Sequence, residues 1–209
     1  EIVGYFEQSL ADRRDKPGDD LTGALLAAEI DGDSLSGREI IGFLFLMIIA
    51  GNETTTNLIG NGILALLQNP EQKQLLQEDS GLIGSAVEEL LRFDPPIQKT
   101  RRTAKGDIDL GGKTIRAGDL IAMCYGSANR DPEQFEEPNR LDITRVDNRH
   151  VSFAQGIHYC LGAALARIEG PIAMGTLLSR MPGLKLETNE VERNPSLVFW
   201  GLKALPVSF

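Results

Sequence analysis

Phe153-Ala154-Gln155-Gly156-Ile157-His158-Tyr159-Cys160-Leu161-Gly162 is the stretch on which the reading of this 209-residue chain turns. A glycine-containing loop delivers a cysteine to the start of a helix, which the pattern carries from about Leu161 to Met181. The first amides of a helix have no internal partner. Leu161, Gly162 and Ala163 are therefore expected to aim N–H groups at the sulfur and, with the helix dipole, to favour its thiolate. Gly156 and Gly162 leave room for a flat, bulky group close to the backbone, and Phe153 can cover the sulfur from water. The loop alone equally fits a buried, inert structural cysteine. Zinc is a further reading, since Cys124, His150, His158 and Cys160 make four possible ligands. Its spacing is poor, because zinc ligands usually come as two close pairs.

Upstream, Ser36 and Glu39 make a capping box. From there helix-compatible sequence continues to Gln68, where Asn69-Pro70 stops it. Asn69 is expected to cap the next helix, with Pro70 at its first position. The middle of the long helix, Ile40 to Ile49, is apolar on all sides, which predicts a helix through the centre of a large protein. Few other long apolar helices are present to cover it, so a covering portion upstream of Glu1 is expected. Inside the same helix, Ala50-Gly51-Asn52-Glu53-Thr54-Thr55 places an acid and hydroxyls after a wholly apolar run. A buried carboxylate is costly unless compensated, so this reads either as a polar notch in an apolar wall or as a solvent-facing patch. Glu89 and Arg92, at i and i+3, share a helix face. On spacing alone such a pair is most often a surface pair.

The remaining elements follow from local signals. Residues 1–10 read as a helix end, 11–20 as a charged loop, Leu21–Ala28 as a short helix and Asp31-Gly32-Asp33 as a turn. Leu82–Phe93 reads as a helix. Arg101–Ile108, Lys113–Ile115 and Leu120–Cys124 read as short strands. Residues 126–156 form a long irregular segment, of the kind that tends to carry function, and the tail from Leu184 reads as short strands.

Composition bounds the function classes. Apolar residues make up 42% and charged residues 24%, the balance of a globular chain with a core. The net charge of −9 should repel nucleic acid and anionic lipid. Lys99, Arg101, Arg102 and Lys105 are a local basic run. The longest uncharged apolar run is too short for a membrane helix, and the N-terminus has no signal-peptide pattern. Two cysteines with no scaffold pattern suit a reducing cytoplasm.

Taken in order and spacing, these motifs resemble the cytochrome P450 family, bacterial soluble type. F-x-x-G-x-H-x-C-x-G falls on Phe153 to Gly162, A-G-x-E-T-T on Ala50 to Thr55, and E-x-x-R on Glu89 to Arg92. Ala128-Asn129-Arg130-Asp131 matches a further family stretch, and Pro138-Asn139-Arg140-Leu141 is similar to P-x-R-F. The departures are Ala154 where glycine is usual, Leu141 for phenylalanine, Trp200 where arginine is common, and Pro171 inside the last helix.

The resemblance implies a mainly α fold with small β-sheets, residues 1–209 being the C-terminal haem-binding part of a single P450 domain. It implies haem b, with Cys160 as the metal ligand. Ala50 and Gly51 would contact the group from the other side, and Glu53 and Thr54 would supply protons there. Arg102 and His158 would bind propionates with His150 assisting, and Phe153, Gly156 and Gly162 would shape the cysteine side. Glu89, Arg92 and Arg140 would form an ion network beneath. The implied activity is a monooxygenase that inserts one oxygen atom of O2 into an apolar small organic substrate, with electrons from a ferredoxin or flavodoxin. A peroxide-using haem-thiolate enzyme and a non-catalytic haem-binding module are the alternatives; Glu53 and Thr54 favour O2.

Overall fold

Helices carry about half of the chain. The computed structural model describes residues 1–14, 16, 18–30 and 32–209, with Glu29 and Ile30 by their backbone alone. It divides into two units, Glu1–Asn52 and Glu53–Phe209.

In the first unit, α1 (Ile2–Arg14) runs beyond the expected end at residue 10. Its last turn carries Arg13 and Arg14, cations that suit the negative end of the helix. Arg13 also pairs with Asp20 at 2.9 Å. Asp20 caps α2 (Leu21–Ala27) by accepting from the Gly23 amide at 2.9 Å. Asp15 and Pro17, within the expected charged loop, lie outside the described residues. Strands β1 (Glu29–Ile30) and β2 (Asp33–Ser34) pair antiparallel around Gly32, whose φ of 85° suits glycine. Asp31, the first residue of the expected turn, also lies outside the described residues.

Helix α3 spans Gly37–Gln68. The capping box is formed: the Ser36 amide and hydroxyl donate to Glu39 at 2.8 and 2.7 Å, and the Glu39 amide donates to the Ser36 hydroxyl at 3.3 Å. Within this chain its apolar middle is covered on one face, in keeping with the few apolar helices available to cover it. Ile40 and Leu44, one turn apart, pack with Phe6 and Leu10 of α1. Phe45, Leu46, Ile48 and Ile49 are 40–56% exposed, because they point away from the face that meets α1.

In the second unit, α3 is followed by α4 (Pro70–Glu78), a 3-10 turn at Ser80–Leu82, α5 (Ile83–Phe93), a short α6 (Tyr125–Ala128) and α7 (Ala163–Arg180). Asn69 does not cap α4 with its side chain. Its amide group turns back to the Ala65 carbonyl at 2.8 Å, closing the end of α3 instead. Leu58 and Leu66 of α3, Val87 and Leu90 of α5, and Met174 and Leu178 of α7 form the core. Each fully buried side chain of this size contributes roughly 1.5–3 kcal/mol. Gly170 lets α7 approach α5 closely: a methyl there would lie 3.0 Å from Val87 Cγ1. Pro171 sits inside α7 without ending it.

The sheets are small and two-stranded. β3 (Lys99–Thr103) and β6 (Leu120–Cys124) pair antiparallel from Lys99↔Cys124 to Thr103↔Leu120. β4 (Ile108–Leu110) and β5 (Lys113–Ile115) form a hairpin across Gly111-Gly112. The single strand expected over Arg101–Ile108 is therefore two strands. It breaks at Ala104, whose amide donates to Asp119 and whose carbonyl accepts from Gly118, followed by the non-alternating Lys105-Gly106-Asp107. β7 (Lys185–Leu186) pairs with β8 (Val207–Ser208) in the tail. Among the described residues no helix is long and apolar enough to cross a membrane.

Candidate functional site

The site rests on a buried ion pair. Arg92 and Glu89 of α5 are both fully buried. The guanidinium donates to both carboxylate oxygens at 2.7 and 2.8 Å, the two-pronged geometry that makes such pairs strong. Its remaining N–H groups reach the carbonyls of Asn129, Pro138 and Arg140 at 2.9, 2.8 and 3.1 Å. Glu89 also accepts from the Asp142 amide, Arg145 and Asn148 at 2.9, 3.2 and 3.2 Å. A carboxylate and a guanidinium can be buried here because nearly every donor and acceptor is used. One expectation is corrected: Arg140 gives this network only its carbonyl. Its guanidinium is more than half exposed and pairs with Glu137 and Asp142; Arg145 is the second cation at Glu89.

Asn129, also fully buried, extends the scaffold to the cysteine loop. Its side chain donates to the Ser152 hydroxyl at 2.7 Å and accepts the Val151 amide at 2.8 Å. The Ser152 hydroxyl in turn donates to the Leu91 carbonyl at 2.7 Å. The residues just before Phe153 are thus tied to α5.

From there the chain makes a tight loop. Ala154 has φ 58° and Gly156 φ 65°; the first explains why glycine suits position 154. A 3-10 turn covers Gly156–His158. The Cys160 amide donates to the Phe153 carbonyl at 2.8 Å, closing the loop. Cys160 is an exposed, free thiol. A methyl on Gly162 would lie 3.9 Å from its sulfur, so the sulfur rests beside that small residue. Helix α7 begins two residues later than expected, at Ala163, and the Ala163 amide donates to the Cys160 carbonyl at 3.2 Å. That amide is therefore not aimed at the sulfur.

A second cluster braces the loop from α5 and α7. Arg167 donates to Glu88 through two nitrogens at 2.8 and 2.9 Å and to the Tyr159 hydroxyl at 2.9 Å. Its guanidinium lies 4.6 Å from the centre of the Phe153 ring. Burial alone would raise the Glu88 pKa, but hydrogen bonds from His150 and Arg167 outweigh it and hold the carboxyl at about 2. The Glu88 hydrogen bonds hold Arg167 above its ordinary value. The buried His150 meets Glu88 at 3.1 Å through Nε2 and the Ser152 amide at 3.2 Å through Nδ1. With both ring nitrogens engaged, His150 braces the loop.

The other expected residues lie as follows. Ala50, Gly51 and Glu53 are exposed on α3, and Thr54 is half-buried. Thr55 donates to Glu169 of α7 at 3.1 Å. Arg102 is half-exposed on β3 and donates to the Arg101 carbonyl at 2.8 Å. His158 is exposed. Cys124 is exposed at the end of β6. Among the described residues no three His, Cys, Asp or Glu side chains gather into a group that could hold a metal ion, so the four-ligand zinc arrangement does not form.

A flat, largely apolar group fits what is present. The thiol is open, Ile157 and Leu161 on either side of it in sequence are 98% and 70% exposed, and the exposed His158 offers a polar edge. The fold and this loop leave one cysteine sulfur open beside room for a prosthetic group. The chain belongs to the cytochrome P450 family, whose members are haem-iron enzymes: the model for Cytochrome P450 matches residues 1–202. It is 46% identical over 209 residues to the biotin biosynthesis cytochrome P450 of Bacillus subtilis, covering all of this chain and 53% of that protein. It is 47% identical over 212 residues to a vitamin D(3) 25-hydroxylase of Pseudonocardia autotrophica, covering 99% and 52%. A solved structure of P450BioI in complex with hexadec-9Z-enoic acid ligated acyl carrier protein matches with a TM-score of 0.95 at 46% identity, over all of this chain and 53% of that one. The chain spans about half the length of the curated relatives it matches.

Proposed function

We propose that this chain is the haem-binding part of a monooxygenase that inserts one oxygen atom of O2 into an apolar small organic substrate. The observation that carries the reading is the free, open thiol of Cys160 on a loop braced from both α5 and α7. Haem b held by this sulfur would supply dioxygen activation, and the thiolate would tune its electronics. The chain's own residues do the rest. The Phe153 carbonyl and Gly162 fix where the sulfur sits. Arg102 and His158 offer donors suited to carboxylates. Exposed Glu53 takes protons from solvent, and Thr54, half-buried beside it, passes them inward from its hydroxyl. An apolar substrate accords with two relatives, one named for vitamin D(3) and one solved with a long acyl chain. Electrons would come from a ferredoxin or flavodoxin.

The test uses the complete haem-loaded protein and the red-shifted Soret band that thiolate ligation gives the ferrous carbon monoxide complex. Cys160→Ser should abolish that band and Cys124→Ala should leave it unchanged. The opposite result would sink the assignment. Thr54→Ala should keep the band while diverting reducing equivalents to hydrogen peroxide; unchanged product per electron would remove Thr54 from proton delivery.

A further inference from the structure

We infer that Arg167 and Tyr159, held by Glu88, are positioning residues that keep the Cys160 sulfur in place as a thiolate ligand. The inference rests on the reading of Cys160 as that ligand. Cys160 lies directly after Tyr159, and its amide is bonded to Phe153. A single guanidinium touches both of these neighbours: Arg167 donates to the Tyr159 hydroxyl at 2.9 Å and lies 4.6 Å from the centre of the Phe153 ring. The two strands of the loop that meet at Cys160 are therefore clamped from one point.

That point is itself fixed. Two nitrogens of Arg167 are spent on the two oxygens of Glu88, which orients the fork and leaves the third nitrogen aimed at the phenol. Lysine could supply the charge but not this planar three-way geometry. Glu88 is in turn held by His150, whose own position is set by the Ser152 amide. The clamp thus runs from α5, through α7, to the residue before the cysteine. The buried Glu89–Arg92 pair is a separate cluster, and its partners are backbone groups of residues 129–142 and the side chains of Arg145 and Asn148. The two clusters divide the work: one holds the segment leading into the loop, the other holds the loop around the sulfur.

A residue that only stabilises the fold and one that positions the sulfur differ in what they release when changed. The measurement is the lifetime of the thiolate Soret band in the ferrous carbon monoxide complex of the complete haem-loaded protein under mild warming. Helix content is followed in parallel by far-ultraviolet circular dichroism. Tyr159→Phe keeps the ring and removes one hydrogen bond to a charged group, so the band should decay about fivefold faster. Arg167→Lys should shorten its lifetime roughly tenfold, and Glu88→Gln should act in the same direction. In all three, helix content should be unchanged over the interval in which the band is lost. An unaltered lifetime in both Tyr159→Phe and Arg167→Lys would overturn the inference. So would a band that is lost only together with helix content. Failure of the underlying reading shows separately, as an unmodified protein without the thiolate band, and would take both proposals with it.

Discussion

Glu53 and Glu89 are both acids within helices, yet one is exposed and the other fully buried. Glu53 follows the more hydrophobic run and looks the better candidate for burial. Glu89 sits in an ordinary amphipathic helix with a partner at a spacing that usually means a surface pair. The difference lies in what the rest of the chain brings. Five hydrogen bonds converge on Glu89, from Arg92, Arg145, Asn148 and the Asp142 amide. A buried carboxylate is stable where distant segments supply donors, and an apolar neighbourhood in sequence supplies none.

Breaking the buried pair is the largest test of this contrast. Arg92→Ala leaves the carboxylate of Glu89 without its main partner and should cost about 3–5 kcal/mol. Glu53→Gln, on an exposed surface, should change stability by less than about 0.5 kcal/mol. Denaturant unfolding of the complete protein measures both, and equal costs would erase the distinction between the two acids.

Acid titration sharpens it. Glu88, beside Glu89, is held at about 2 against an ordinary 4.5. A carboxyl with a depressed folded-state value contributes stability that is fully present above its unfolded value and lost as pH falls through the folded one. The wild type should therefore lose stability between pH of about 4.5 and about 2. Allowing for partial solvent exposure, the loss from this group is on the order of 1–2 kcal/mol. Glu88→Gln should flatten the profile in that window, and an unchanged slope would show that another carboxylate carries it.

The smallest effect concerns the loop that both clusters support. Ala154 occupies left-handed backbone at φ 58°, which costs an L-residue roughly 1–2 kcal/mol. Ala154→Gly relieves that strain but adds freedom to the unfolded chain, for a net gain of about 0.5 kcal/mol. A loss of stability in thermal unfolding would mean that the methyl makes a packing contribution larger than the strain.

Local signals were read well from sequence. The Ser36–Glu39 box, the stop at Asn69-Pro70 and the strands Lys113–Ile115 and Leu120–Cys124 all depend on near neighbours and lie where the pattern put them. The cysteine loop was legible because its glycines and its cysteine fall within ten residues. Long-range partners were not legible. Arg145 replaces Arg140 at Glu89 because the irregular segment folds back by its carbonyls and amides, and no periodicity encodes that. Glu88, Tyr159 and Arg167 were missed for the same reason. The available signal was slight: an acid next to Glu89 on α5, and an arginine two turns past the cysteine on α7. The exposed face at Phe45–Ile49 shows the converse limit, since an apolar run tells what a helix needs and not which of its faces this chain covers.

Pro171 gives α7 an internal seam. Proline has no amide hydrogen, so the carbonyl four residues earlier receives nothing from it, and that carbonyl belongs to Arg167. The helix is continuous in shape, but its ladder is interrupted one turn beyond the residue that clamps the loop. Segments of a fold open in cooperative pieces bounded by such breaks. In hydrogen–deuterium exchange, the amides before the seam should trade with solvent as one group and those after it as another. The end of α7 nearest the cysteine can then breathe while the remainder stays closed against the core.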